Sequence, residues 1–400
     1  MEFYEPILNL SNPEQHNTMG VIMSLKEPVD GKSLTEAVEE LRVRFPYFYV
    51  KAAYKGENVV TVPNELPMTV RNTWNPVNFN SEVSNYHLAA WKYEGQRLAF
   101  EISHALTDGA GVFPYIKSVL YLYLSKATGK AFDSADIRLP GDEIPESEIG
   151  NPFKNLDIDG IAAPFYKRKP IPDFFRLVNE GHGEKRVFCM KIPESQIMQY
   201  CRSVDGSPNV FLSVMLARAA RRLDPENEKT ITVSVCVDHK AVLGNRDNYH
   251  CFVGDAVLDF PKNRNLDDIT KACTIARGQL MLQVQPENSM WEIKQLKRML
   301  PPISPDIALA SICVSYPGNR SLGPLDPYIE EMYYMTSLSK ITDILCEVCC
   351  ANHNFFVAFM QPFSSEKYFE CFLEELRKEG IEYTFLGSEP IRMCGILSLP

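Results

Sequence analysis

The stretch RLAFEISHALTDGAGVFPYIKSVLYLYLSK, residues 97–126, decides how the chain is read. Its first part, Arg97 to Ser103, is rich in branched and aromatic residues and predicts a strand. From Gly109 to about Lys126, the apolar residues Val112, Ile116, Val119, Leu120, Tyr123 and Leu124 recur at spacings of three and four, the signature of a helix with one buried face. His104 therefore stands where a strand ends, and Asp108 and Gly109 form the turn into a helix. A histidine in such a place can be held by backbone through one ring nitrogen and offer the other to a cleft, which suits a general base working near neutral pH. Gly109 is expected to permit the sharp turn.

Upstream, Met19 to Leu25 reads as a strand, and Ser33-Leu34-Thr35-Glu36 as a capping box opening a helix through about Phe45. Phe48 to Tyr54, Asn58 to Val62 and His87 to Tyr93 join Arg97 to Ser103 as a strand meander punctuated by Lys-Gly and Glu-Gly turns. Downstream, Ala131 to Phe175 is loaded with Pro, Asp and Glu and lacks periodicity, which marks a long crossover. The second half predicts strands at 186–192, 230–237, 251–258, 310–315, 331–338, 342–350 and 355–361. Its helices begin at Glu194 and at Ser207-Pro208, and cover 266–283 and 365–378. Both halves mix strands with long helices, so the expected class is α+β with two lobes, residues 1–175 and 176–400.

Across 400 residues, 41 basic and 51 acidic side chains leave a formal charge of −10, which opposes binding to nucleic acid or anionic lipid. The longest apolar window, Val112 to Ser125, is too short to span a bilayer and contains Lys117. No basic region precedes an apolar stretch near the N-terminus, and a cytoplasmic monomer is expected. The 11 cysteines are odd in number and lie mostly in apolar runs, as buried reduced thiols do. Cys346, Cys349, Cys350 and His353 form the one cluster resembling a zinc site. On a strand, however, Cys349 points away from the other two cysteines, and no metal is expected. There is no GxSxG elbow, no phosphate-binding GxxxxGK[ST] loop and no HExxH; Asp108-Gly109-Ala110-Gly111 lacks the third glycine of a dinucleotide loop.

His104-Ala105-Leu106-Thr107-Asp108-Gly109 resembles the HxxxDG motif of the CoA-dependent acyltransferase superfamily that includes chloramphenicol acetyltransferase, plant BAHD acyltransferases and the condensation domains of nonribosomal peptide synthetases. The likeness extends to Leu34–Phe48, which resembles the family's first helix, and to Phe252-Val253-Gly254. Val314–Ile329, FFVAFMQPF and the final helix are most similar to bacterial alcohol acetyltransferase-type members. The resemblance implies two chloramphenicol-acetyltransferase-like lobes, each a mixed β-sheet flanked by helices, with a tunnel between them. It implies direct transfer of an acyl group from a thioester to a hydroxyl, amine or thiol of a small acceptor, with His104 as base and no covalent acyl-enzyme. Acyl-CoA is the implied co-substrate, with no permanently bound cofactor; an acyl-carrier protein as donor, or a catalytically silent binding or scaffold protein, are the alternatives. By the same resemblance Asp108 is structural and pairs with a cation. Where relatives often read D-L-R, this chain has Asp238-His239-Lys240, leaving Lys240 or Arg246 as the partner. Ser103 stands where condensation domains usually carry a second His, and Ser321-Leu322-Gly323-Pro324 is the nearest match to the BAHD DFGWG motif. Lys167, Arg168 and Lys169 are candidates for the donor mouth, and His239 and His250 for the tunnel wall, against the commoner solvated or structural roles of such residues.

Overall fold

The computed structural model describes residues 3–4, 8, 11, 16–56, 58–152, 156–177, 183–298 and 308–396. The first half comprises β1 (Phe3–Tyr4), β2 (Thr18–Leu25), α1 (Gly31–Glu40), β3 (Val50–Lys55), β4 (Asn58–Pro63), β5 (Val70–Asn72), β6 (Ala89–Glu94), β7 (Arg97–Ser103) and α2 (Gly109–Thr128). The crossover holds one helical turn, α3 (Glu146–Ile149). Then follow β8 (Arg186–Pro193), α4 (Glu194–Ser203), α5 (Pro208–Leu223), β9 (Ile231–Asp238), β10 (Val253–Phe260), α6 (Ile269–Gln283) and α7 (Pro286–Arg298). The chain closes with β11 (Ala310–Ser315), β12 (Ile329–Thr336), β13 (Thr342–Ala351), β14 (Asn354–Gln361), α8 (Lys367–Lys378) and β15 (Thr384–Pro390).

These strands form a five-stranded sheet ordered β12-β2-β7-β6-β5, a seven-stranded sheet ordered β10-β9-β11-β13-β14-β8-β15, and a small sheet β1-β4-β3. The class is α+β, as expected. The meander is divided, however: β3 and β4 belong to the small sheet, whereas β6 and β7 pair in the five-stranded one. Pro63, Pro67 and Pro76 lie between them and cannot donate to a ladder, so the chain leaves one sheet before entering the next. The cap of α1 also differs from the expected Ser33 box. Asp30 accepts the amides of Lys32 and Ser33, and the Ser33 hydroxyl is itself spent on Asp30. The α-helix ends at Glu40 and runs on only as short 3₁₀ turns, the second opened by Pro46.

Strand membership crosses the 175/176 boundary. β12, from the second half, pairs antiparallel with β2 from Leu25 opposite Ile329 to Met19 opposite Thr336. Two apolar cores result, one under α1 and α2 and one between the seven-stranded sheet and α5 and α8. Strand alternation assigns β13 to both: Cys346, Val348 and Cys350 face the second core, and Cys349 and Ala351 the first. The three cysteines thus diverge, and His353 lies exposed at the β13–β14 turn. Among the described residues no helix is long and apolar enough to cross a membrane.

Candidate active site

The motif loop is fixed from both sides before any ligand is considered. β7 runs beside β2 with Ser103 opposite Thr18, and just past its end the His104 amide donates to the Asn17 carbonyl at 2.7 Å. The imidazole Nδ1 lies 2.9 Å from the Thr107 carbonyl, which can only accept, so Nδ1 carries the proton. The Tyr47 hydroxyl donates to the Leu106 carbonyl and ties the same loop to the first core. With Nδ1 engaged, the ring atom left for chemistry is Nε2, and His104 lines a cavity of about 400 Å³ between the two large sheets.

Asp108 acts as a hub. It caps α2 by accepting the amides of Ala110 (3.1 Å) and Gly111 (2.8 Å) through Oδ1, and it accepts the Phe252 amide (3.1 Å) through Oδ2. Lys240 Nζ reaches Oδ1 at 2.6 Å, and both side chains are sealed from solvent, at 3% exposure for Asp108 and 1% for Lys240. Of the two candidate cations, Lys240 is therefore the partner of Asp108, while Arg246 is exposed. The pair joins the start of α2 in one lobe to the end of β9 and the entry to β10 in the other.

Gly109 does not adopt a left-handed backbone, contrary to the sharp-turn expectation. Its carbonyl accepts the Tyr334 hydroxyl at 3.0 Å, and a Cβ on it would come within 3.3 Å of the Tyr334 ring. The tighter position is Gly111, where a Cβ would stand 2.4 Å from the Tyr249 carbonyl and 2.7 Å from Thr107 Oγ1. Because the first obstacle is backbone, Gly111→Ala is expected to destabilise by about 1–3 kcal/mol, as overpacking does. A thermal unfolding scan in which the variant matches the parent would refute this close approach.

The remaining candidates divide. His239 is buried with Nε2 3.0 Å from Glu292, and His250 is buried with Nδ1 2.8 Å from Asn248; neither lines the cavity. Burial, reinforced by the Lys240 charge, pushes His250 down to about 4. Arg168 is bound by Asp259 at 2.6 Å, Lys167 lies over the Trp291 ring at 4.2 Å, and Lys169 is exposed, so the basic run is split rather than gathered at an entrance. The Ser321 hydroxyl donates to Asp326 at 2.9 Å, and Ser321 stays out of the cavity.

Several cavity residues escaped the sequence reading: Cys251, Asp255, Tyr334, Arg320 and Glu347. Cys251 Sγ lies 3.7 Å from His104 Nδ1. Burial disfavours the imidazolium, but the charge and hydrogen bonding of the Cys251 sulfur outweigh it and, with a smaller contribution from Asp108, lift His104 to about 10. The ring thus departs from the near-neutral value expected. Among the described residues, the group that could share an ion is Cys236, Asp255 and Cys313, with ligand atoms within 4.8 Å of one another. Both thiols are pushed up from their ordinary value, Cys236 by its contact with Cys313 and by burial, and Cys313 where the lowering contact with Cys236 is outweighed by burial and the nearby carboxylates.

No family model matches the chain, and no curated protein is similar to it by sequence. Solved structures are similar in fold. One is TRI101 of F. graminearum complexed with coenzyme A and deoxynivalenol, with TM-score 0.62 and 10% identity over 97% of this chain and 100% of that one. The trichothecene 15-O-acetyltransferase TRI3 of Fusarium sporotrichioides matches with TM-score 0.60 and 11% identity over 94% of each chain. The first condensation domain of the CDA synthetase matches with TM-score 0.61 and 11% identity over 96% of each chain. The fold is therefore the two-lobed one shared by TRI101, the acetyltransferase TRI3 and this condensation domain.

Proposed function

We propose that the chain is an acyltransferase that moves an acyl group from a thioester, acyl-CoA in the first instance, to a hydroxyl or amine of a small acceptor. One observation carries the reading: His104 is held through Nδ1 by the Thr107 carbonyl, which leaves Nε2 as the base atom of a ring that lines the inter-lobe cavity. The acceptor's proton passes to Nε2 as its oxygen or nitrogen bonds to the thioester carbonyl carbon. The tetrahedral intermediate then breaks its C–S bond, and the departing thiolate takes the proton from His104, so no acyl-enzyme forms. Asp108 does no chemistry in this scheme; through Lys240 and the Phe252 amide it holds the loop and both lobes in register. The same reading takes residues 1–175 and 176–400 as two lobes of one monomer acting in the cytoplasm. That a similar fold is found complexed with coenzyme A and a small toxin supports a CoA donor and a small acceptor, and the condensation-domain likeness supports a carrier-protein donor as the second reading.

With acyl-CoA and the right acceptor, one thiol is expected to be released per acylated product, read with a thiol-reactive dye and by mass spectrometry. Thiol release from an acyl-carrier protein but not from any acyl-CoA would transfer the proposal to the second reading. Release from neither would overturn both.

A further inference from the structure

Two sulfurs in the cavity wall are placed as a pair. Alternation turns Val233, Val235, Ile312 and Val314 into the second core and leaves Ser234, Cys236 and Cys313 on the opposite face of the sheet, against the cavity. β11 runs parallel to β9 with Cys313 opposite Ser234, so Cys313 and Cys236 are diagonal neighbours, and their Sγ atoms lie 3.7 Å apart. On the other side of β9, Asp255 of β10 stands directly opposite Cys236. Three adjacent strands thus gather two thiols and one carboxylate, with the ligand atoms of all three within 4.8 Å of one another.

The spacing decides what such a pair can do. A disulfide holds its sulfurs about 2.05 Å apart, well inside the observed gap. In tetrahedral zinc coordination, Zn–S bonds of about 2.3 Å set two sulfurs about 3.8 Å apart, close to the gap already present. The carboxylate is oriented as well: Asp255 Oδ1 accepts the Ser234 hydroxyl at 2.5 Å, and the Asp255 amide donates to Glu292 at 2.8 Å, which leaves Oδ2 open among the described residues. Hydrogen bonds of this kind fix the direction in which a carboxylate meets a metal. Asp255 is exposed at the cavity, which supplies the entry path that a fully buried trio would lack. Asp255 and Glu347 make the space around Cys236 negative, so it favours a cation over an anion. Thiolate ligands in turn favour zinc-like ions over the hard ions Mg²⁺ and Ca²⁺.

We propose that Cys236, Cys313 and Asp255 bind a divalent cation of the zinc class, leaving the fourth tetrahedral position to a water or to a donor atom of a molecule in the cavity. Binding breaks two S–H bonds, forms two S–metal bonds and releases two protons to solvent, with no oxidant required. The site stands apart from the acyltransferase reading, because its test reads metal binding and not turnover. The full chain, reduced and stripped of metal, is titrated with Zn²⁺ against a chromophoric chelator and, separately, with Co²⁺. One Zn²⁺ per chain should bind and resist a large excess of Mg²⁺, and Co²⁺ should give thiolate charge-transfer absorption with the d–d bands of tetrahedral coordination. Ser234→Ala should weaken Zn²⁺ by about 10–100-fold, as loss of a group supporting a ligand does, and Cys236→Ser, Cys313→Ser and Asp255→Asn each by at least as much. Cys371→Ser, on α8 and outside the cavity, should bind as the parent does, which separates the site from adventitious coordination by other thiols of the chain. Should Cys313→Ser fail to fold, Cys236→Ser and Asp255→Asn carry the test, because both positions are less buried. No binding by the parent, an octahedral Co²⁺ spectrum without charge transfer, or an affinity unchanged in Cys236→Ser overturns the proposal. Zn²⁺ binding with no thiol release from any donor would leave the site in place and remove only the acyltransferase reading.

Discussion

His104→Ala is expected to lower the transfer rate by at least about a hundredfold, the low end of what a positioned general base contributes. The thermal midpoint should barely move, because the ring's wall contacts are the hydrogen bond to the Thr107 carbonyl and the Cys251 sulfur. The pH profile gives a second readout. A pKa lifted to about 10 means that the neutral, proton-accepting ring is the minor form at pH 7. In the parent, kcat/KM should therefore rise with pH from 7 towards 10, at about tenfold per unit while the imidazolium dominates. Cys251→Ser removes the sulfur that favours the charged ring, so its rise should be displaced to lower pH. A folded His104→Ala protein keeping most of its activity, or a parent profile flat across this range, would remove His104 from the chemistry.

Asp108→Asn and Lys240→Met are each expected to cost about 3–5 kcal/mol, because either change removes the ion partner of a buried charge. The double variant should recover part of that loss, since it removes both charges together. Arg246→Met, at an exposed position, should leave the midpoint where it is. Thermal unfolding of the four proteins decides the matter. An Asp108→Asn protein with an unchanged midpoint and no activity would make Asp108 a chemical participant. Additive losses in the double variant would deny the coupling.

Much of this architecture could be read along the chain because its signals are local. β7, α2 and β11 begin or end where apolar spacing and turn residues say they should. The HxxxDG loop announced itself through a polar cluster between two strongly patterned elements. What escaped was set by tertiary contact. β5 and β15 are short or weakly patterned and are defined by the neighbours that pair with them. Cys251 stands 147 positions from His104 and reaches it only because the lobes pack. Asp255 and Glu347 left only an ambiguous trace, because each shares its apolar run with a second acid, Asp259 in VGDAVLDF and Asp343 in TDILCEVCC. An acid in a strand points to a polar face without telling which cavity it faces. The choice between Lys240 and Arg246 could not be made from spacing, since it depends on the tertiary contacts that bury Lys240 and leave Arg246 exposed.

The pairing of β12 with β2 also has a consequence for biosynthesis. β2 finds one neighbour in β7 early, but its other edge waits for a strand made roughly 300 residues later, which at about 5–20 residues per second is a delay on the order of 15–60 s. During that interval the nascent first lobe presents an open, largely buried-type edge, TMGVIMSL, of the kind that recruits other strands. The first lobe is therefore committed to a late closing step, and chaperone shielding, slow translation or low expression temperature would act on that step rather than on the stability of the finished protein.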